Sequence, residues 1–336
     1  MTNTPYERVH LKYPCYSVKN YSGPLSEHLS DFVLQKRALG LKYKSQAAVL
    51  GLFDRFLKDN NASKNRLSKE SVMEFCKLRP TECYRTFETK GKIIRQFGEY
   101  MATMGYDSYV LPHYKTHPQS FVPYIYTHQE IAKMFEVFDK QEYRVSSSRS
   151  RAIYPILFRM LYGCGLRVGE ACRLKVENVD LATGELRLYD TKWNSERIIP
   201  MSESLTDACR IYYDTFHKSK AYEYFFPSTK PSVPLCEKTV WAELKRILPI
   251  CEIPKRARLH DLRHTFAVHS LQKWVKEGKD IYVCLPLLSK YLGHTIISST
   301  EIYLRLTAEV FPEVSATFEK YFGETIPEVT TFENGC

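Results

Sequence analysis

The sequence predicts a mainly α-helical chain with one small antiparallel β-sheet, divided into an N-terminal helical domain and a C-terminal α+β domain. Three observations carry this. Apolar residues recur at helical spacing through most of the chain. One stretch, "GELRLYDTKWNSERIIPM", changes period: Leu186 and Leu188, then Ile198 and Ile199, flank a polar turn, which is the pattern of a β-hairpin. Between the two periodic regions, residues 106–126 carry several prolines and no helical repeat, as an inter-domain linker does.

Residues 1–24 hold Pro5, Pro14 and Pro24 without periodicity and read as an arm. From Leu25, helical stripes follow one another. Leu25, Leu29, Phe32 and Val33 form the first, and Val49, Leu52, Phe53 and Phe56 the second. Ser68 opens a third helix that stops at Pro80, and Phe87, Ile94, Phe97 and Met101 mark a fourth that ends at Gly105. Residues 25–105 are thus a small all-α unit. The second domain, 127–322, starts with an S/T-x-x-E capping box, Thr127 and Glu130, ahead of an apolar stripe. "AIYPILFRMLYGCG" is a buried helix ending at glycines. The hairpin follows, then helical patterns at 203–217, 238–250, 259–276, 285–292 and near 298–322, and a tail at 323–336.

A chain of 336 residues has room for two cores. With 44% hydrophobic and 26% charged residues it is not a disordered chain. It has no apolar run of about 18 residues, and "MTNTPYERVHLKYPCYS" lacks the apolar core of a signal peptide, so no membrane association and a cytoplasmic location are expected. The ten cysteines are scattered and form no C-x-x-C, which points to reduced, buried thiols and against structural zinc. The net charge of +10 suits a polyanionic partner, though solubility alone would also explain it. Its distribution is uneven: Val33 to Lys69 holds nine Lys/Arg against two acidic residues, while "GETIPEVTTFENGC" at the end is acidic.

Five short stretches hold polar groups that packing does not explain. "GCGLRVGEACRL" places Arg167 after a glycine-rich helix end, with Glu170 three residues on. "DTKWNSER" puts Lys192 at the hairpin tip. "HDLRHTFAVH" sets His260 and Arg263 three apart, on one helix face. "YLGHT" places His294 after Gly293, and "STEIYLRL" places Tyr303 among apolar neighbours. Each alone has a bland reading: a surface arginine, a solvated turn lysine, a packed histidine, a helix-end histidine, one tyrosine among 24. Together they meet one demand. Two arginines can hold the non-bridging oxygens of a phosphodiester. Histidines can donate to the same oxygens or move a proton. A lysine can protonate a departing alkoxide, and a tyrosine can attack phosphorus and hold it as an ester. His260 and His264, four apart, also suit zinc on a helix, but a zinc site needs a third ligand that the motif does not supply.

In order and spacing these motifs resemble the tyrosine recombinase (phage integrase) family. "GLRVGE", the lysine of "TKWNSER", "HDLRHTFA", "LGHT" and "TEIY" follow one another, with about ninety residues from Arg167 to the H-x-x-R and about forty more to the tyrosine. The resemblance covers residues 127–320, and more loosely the first hundred as the family's core-binding domain. It implies a site-specific recombinase that cleaves and rejoins DNA through a 3′-phosphotyrosine, without metal, ATP or other cofactor. Arg167 and Arg263 would clamp the scissile phosphate. His260 would be base or hydrogen-bond partner, Lys192 the general acid, His294 a phosphate ligand and Tyr303 the nucleophile, with Glu170 supporting the site. The implied partner is double-stranded DNA bearing specific sites, engaged by a tetramer, with accessory proteins in some members. Trp193 departs from the glycine common after the lysine. His264 and His269 read as structural, with a hydrogen-bonding role open to His264. Two other readings stand beside this one: a type IB topoisomerase-like enzyme relaxing DNA without a specific site, and a non-catalytic DNA-binding protein.

Overall fold

The computed structural model describes residues 21–113, 122–140, 148–190, 195–218, 221–294 and 298–310. The chain divides into two compact units, 1–120 and 121–336.

The described part of the first unit has four helices: α1 (Ser26–Ala38), α2 (Lys44–Asp59), α3 (Lys69–Phe75) and α4 (Tyr84–Thr103). Their apolar stripes meet in one core built from Leu25, Leu29, Phe32, Leu50, Phe53 and Phe97. Phe32 and Phe97 pack edge to face at 5.6 Å, a geometry aromatic quadrupoles favour. Ser68 caps α3 by accepting from the Ser71 amide at 3.2 Å. In α2 the buried stripe is Ala47, Leu50, Phe53 and Leu57, and Leu52 of the expected stripe points outward, 52% exposed. With the two alanines counted, apolar residues at 47, 48, 49, 50, 52, 53, 56 and 57 cover more than half the helix circumference, so pattern alone does not select the buried arc.

The stretch read as a linker is partly built into each unit. Strand β2 (Asp107–Ser108) pairs in parallel with β1 (Arg66–Leu67), and Leu111 is buried in the first core. At the other end Tyr126 is fully buried in the second unit; its amide donates to Thr265 Oγ1 at 3.0 Å and its hydroxyl to the Arg258 carbonyl at 3.2 Å. These segments lack periodicity because single side chains anchor them, not a repeating face.

The second unit opens with the expected capping box: the Glu130 amide donates to Thr127 Oγ1 and the Thr127 amide to Glu130 Oε2. Helices α5 (His128–Lys140), α6 (Ser148–Gly163) and the short α7 (Val168–Cys172) lead to a three-stranded antiparallel sheet, β3 (Val179–Asp180), β4 (Glu185–Asp190) and β5 (Ser195–Pro200). Leu186 pairs with Ile199 and Leu188 with Arg197, which turns Leu186, Leu188 and Ile199 into the core. The two-residue β3 was not expected, being too short to show alternation. Helices α8 (Glu203–Phe216), α9 (Glu237–Ile247), α10 (Leu259–Lys276), α11 (Ile281–Leu292) and α12 (Ser298–Val310) complete the described part. Helix α11 starts at Ile281, earlier than its apolar stripe suggested, because Asp280 caps it by accepting from the Tyr282 amide at 2.8 Å. Ala267, Val268 and Leu271 of α10 share a core with Leu285 and Leu288 of α11 and Leu304 of α12, and this packing sets the spacing of the three helices that carry the site. Among the described residues, no helix is long and apolar enough to cross a membrane.

Candidate active site

The site is built where the turn before α7, the second strand of the hairpin and the helices α10, α11 and α12 converge. Arg167 is the N-cap of α7 and Glu170 its third helical residue. The Arg167 amide donates to Glu170 Oε2 at 2.9 Å and its Nη1 to Oε1 at 2.7 Å. Arg197, on β5, donates from Nη2 to Glu170 Oε2 at 2.8 Å. Burial pushes the Glu170 carboxyl up, but the neighbouring Arg197 charge and the hydrogen bonds from both arginines outweigh it and hold the group below its ordinary value. Glu170 is therefore an anionic anchor that fixes two guanidiniums.

Arg263, in the second turn of α10, is only 1% exposed. Its Nη1 donates to the Gly165 carbonyl at 2.9 Å and its Nη2 to the Leu292 carbonyl. Arg167 Nη2 donates to the next carbonyl, Gly293, at 3.3 Å. Leu292 and Gly293 end α11, so the negative end of that helix dipole faces the two arginines. Carbonyls orient a guanidinium without removing its charge. Burial and the nearby Arg167 lower the Arg263 pKa to about 10, and the group keeps its proton at neutral pH. Two glycines make this possible. Gly165 adopts φ +57°, and a Cβ there would lie 2.5 Å from Phe266 Cδ1; Gly293 adopts φ +67°, and a Cβ there would lie 2.9 Å from Arg197 Nη1.

His294 follows Gly293, with its amide donating to the Ser289 carbonyl at 3.0 Å and its Nδ1 paired with Thr300 Oγ1 at 2.8 Å. Burial, then the Arg263 and Arg167 charges, lower its pKa to about 4. His260, in the first turn of α10, has an open outer edge; the protein packed around its ring and the same two arginines lower its pKa as well. Both rings are neutral at pH 7 and can each donate one N–H.

Tyr303, on α12, is 2% exposed. Its ring lies nearly parallel to that of His294, with centroids 6.2 Å apart, and its hydroxyl is 3.1 Å from His264 Nδ1. Burial raises the phenol pKa, while the Arg263 and Arg167 charges act against the rise. Arg167, Glu170, His260, Arg263, His294 and Tyr303 are thus brought together. Lys192 lies outside the described residues.

Two residues of the site were not singled out for it by the sequence. Arg197 closes the stretch "DTKWNSER", and it sits two positions before the buried Ile199, so strand alternation points it inward. His264 read as structural with a hydrogen-bonding role left open; it is next to Arg263 and one helical turn from His260. His269 does stand apart: it stacks on His128 at 3.8 Å and pairs with the Tyr162 hydroxyl at 2.9 Å. Among the described residues, no three His, Cys, Asp or Glu side chains cluster as a metal site needs.

Fold and site together define a tyrosine-type DNA strand-exchange enzyme, a site-specific recombinase. The model of the phage integrase family matches residues 95–309, and the chain belongs to that family. Among similar proteins, a putative integrase/recombinase of Sinorhizobium fredii, y4rB, is 27% identical over 304 residues, covering 87% of this chain and 96% of that protein. The tyrosine recombinase XerA of Pyrococcus furiosus is 32% identical over 203 residues; the match covers 59% of this chain and 61% of XerA, so it spans less than two thirds of that relative. Among solved structures, a post-cleavage complex of the XerH site-specific recombinase with a palindromic difH substrate superposes with a TM-score of 0.60 at 16% identity, covering 94% of this chain and 95% of that one. At that identity the likeness speaks for the fold.

Proposed function

We propose that this protein cleaves and rejoins double-stranded DNA at specific sites through a 3′-phosphotyrosine on Tyr303, without metal or ATP. The observation that carries the reading is the Tyr303 hydroxyl buried beside Arg167 and Arg263, of which, among the described residues, only Arg167 makes an ion pair, with Glu170. A phosphodiester placed there supplies the missing negative charge. Arg167 and Arg263 hold its non-bridging oxygens, with His294 and His260 as further partners. These donors matter most when charge builds on the equatorial oxygens, because the carbonyls and the carboxylate that hold the arginines orient them beforehand. Tyr303 Oη attacks phosphorus, the bond to the 5′ oxygen breaks, and Lys192 protonates the leaving oxygen. The phosphotyrosine conserves the bond energy, so a second 5′ hydroxyl reverses the step on a new strand. Glu170 orients Arg167 and Arg197 and takes no part in bond making.

In the same reading residues 25–105 are the core-binding domain, 127–322 the catalytic domain, and 106–126 the linker that lets both engage one duplex. The basic stretch 33–69 tracks phosphates and makes affinity fall with salt. Strand exchange between two sites calls for a tetramer on DNA in the cytoplasm, with accessory proteins in some settings. For the chain's genetic role this reading favours carriage of a mobile element over chromosome maintenance.

The test starts by selecting a bound site from a randomised duplex pool with wild-type protein, then nicking that duplex to trap cleavage. A covalent protein–DNA adduct on a denaturing gel, lost in Tyr303→Phe and Arg263→Ala, is the expected outcome. Adducts formed equally on unrelated duplexes point to a topoisomerase. Specific binding with no adduct points to a DNA-binding protein without chemistry.

A further inference from the structure

The side chain in hydrogen-bond contact with the nucleophile's hydroxyl, among the described residues, is His264 and not His260. His264 Nδ1 stands 3.1 Å from Tyr303 Oη. His260 lies one turn away on the same helix, its ring edge-on to His264 with centroids 4.7 Å apart, and its outer side open. The direction of the Tyr303 proton follows from the neighbours. A neutral imidazole with its proton on Nε2 accepts at Nδ1, and the Arg263 charge beside the phenol favours its oxygen, not its proton, on that side. The phenol proton is therefore assigned to the bond with His264 Nδ1. The matching His264 tautomer carries its proton on Nε2.

We propose that His264 takes the proton from Tyr303 as the phenol attacks phosphorus, and that His260 instead donates to a phosphate oxygen. The inference rests on reading Tyr303 as the nucleophile. The step balances without an added reactant. The Tyr303 Oη–P bond forms as the P–O5′ bond breaks. The Oη proton passes to His264 Nδ1, giving an imidazolium, and the leaving oxygen takes its proton from the general acid. In the rejoining step Oη is the leaving group and recovers the proton from the same nitrogen.

This arrangement ties the base to the substrate. His264 is half-buried, and the groups facing it are His260, Arg258 and Arg263 on its own helix, His294 after α11 and Tyr303 on α12. Burial, then His260 and the two arginines, pull its pKa to about 3. In the empty clamp it is a poor base and the phenol stays protonated. A phosphodiester anion between Arg167 and Arg263 offsets that positive field and raises the basicity of His264. Deprotonation then follows DNA binding, which guards the tyrosine against stray reaction.

Single-turnover cleavage of the nicked, selected duplex tests this in wild type, His264→Asn, His264→Ala and His260→Asn, with duplex binding measured beside each. An asparagine keeps an acceptor near the place of Nδ1 but cannot take a proton. The expected result is that Asn and Ala at 264 both slow cleavage about 10²- to 10³-fold, within the range general-base removal costs, with binding retained. Placing 3,5-difluorotyrosine at 303, whose phenol ionises near neutral pH, restores most of the rate in His264→Asn and changes wild type little. The pH profile of His264→Asn rises further into the alkaline range than that of wild type. Near-wild-type cleavage by His264→Asn, or fluorotyrosine rescue of His260→Asn in place of His264→Asn, overturns the proposal. An adduct that survives Tyr303→Phe overturns the nucleophile reading itself, and this inference with it.

Discussion

Two helices of similar length serve the two units differently. Helix α4 has 20 residues and α10 has 18. Helix α4 is amphipathic: Ile93, Ile94, Phe97 and Met101 face the first core, and its one buried charge, Lys90, is answered by Glu82 at 2.8 Å. Helix α10 buries Asp261, Arg263, Thr265, His269 and Gln272 along with its leucines. Burying polar groups costs stability unless each finds a partner, and here many are met one by one. Asp261 takes the Arg258 amide at 2.9 Å, Arg263 takes two carbonyls, and Thr265 donates to the Asp261 carbonyl at 2.8 Å. The first helix holds a fold together. The second spends stability to hold charge and proton acceptors in the site.

That contrast can be broken by substitution. The largest effect is expected at Tyr303→Phe, which removes one oxygen from a buried ring: cleavage disappears, while folding and duplex binding, read by circular dichroism and gel shift, persist. In α4, Phe97→Ala empties the centre of the aromatic core and should cost about 3–5 kcal/mol in urea unfolding of the first unit. In α10, Arg263→Lys keeps the charge but cannot reach the Gly165 and Leu292 carbonyls as a fork. Cleavage should fall about 10²- to 10³-fold, comparable to loss of a transition-state donor, with a smaller change in affinity. Gly165→Ala should destabilise the protein by about 1–3 kcal/mol, since it adds both an unfavourable positive φ and a contact with Phe266. It should slow cleavage too, because the Gly165 carbonyl anchors Arg263.

The most gradual effect is acid sensitivity. His264, His269 and His294 have folded-state pKa values lowered to about 3, 4 and 4. Their unfolded value is near 6.5. Between those limits the unfolded chain binds more protons, so stability present above about pH 6.5 is lost as pH falls towards 4, by at most about 1.4 kcal/mol per pH unit for each group. Thermal melts from pH 7.5 to 4.5 should show the decline, and His264→Asn should flatten it. A slope unchanged by that substitution would place the acid sensitivity elsewhere.

The same contrast explains what could be read from the sequence. Helix α4 was legible because its stripe repeats, and so were the capping box at Thr127 and the β4–β5 hairpin. Arg167, Glu170, His260, Arg263, His294 and Tyr303 were legible only as an ordered set of motifs, since each is unremarkable by itself. What escaped were features made by single contacts over long separations. Leu111 and Tyr126 anchor aperiodic segments in separate cores. The Gly165 and Leu292 carbonyls that hold Arg263 have no side-chain signature. The His264–Tyr303 hydrogen bond joins residues 39 apart, on helices whose packing sets the distance.

The most direct test of the account is the identity of the residue that carries DNA. Trapped adduct from the nicked, selected duplex would be digested with protease and nuclease and the modified peptide sequenced by mass spectrometry. The account requires a tyrosine O-phosphodiester on Tyr303, joined to a 3′ end, with a free 5′ hydroxyl on the other fragment. A nucleotide found on any other residue, or a 5′-phosphate linkage, would contradict it.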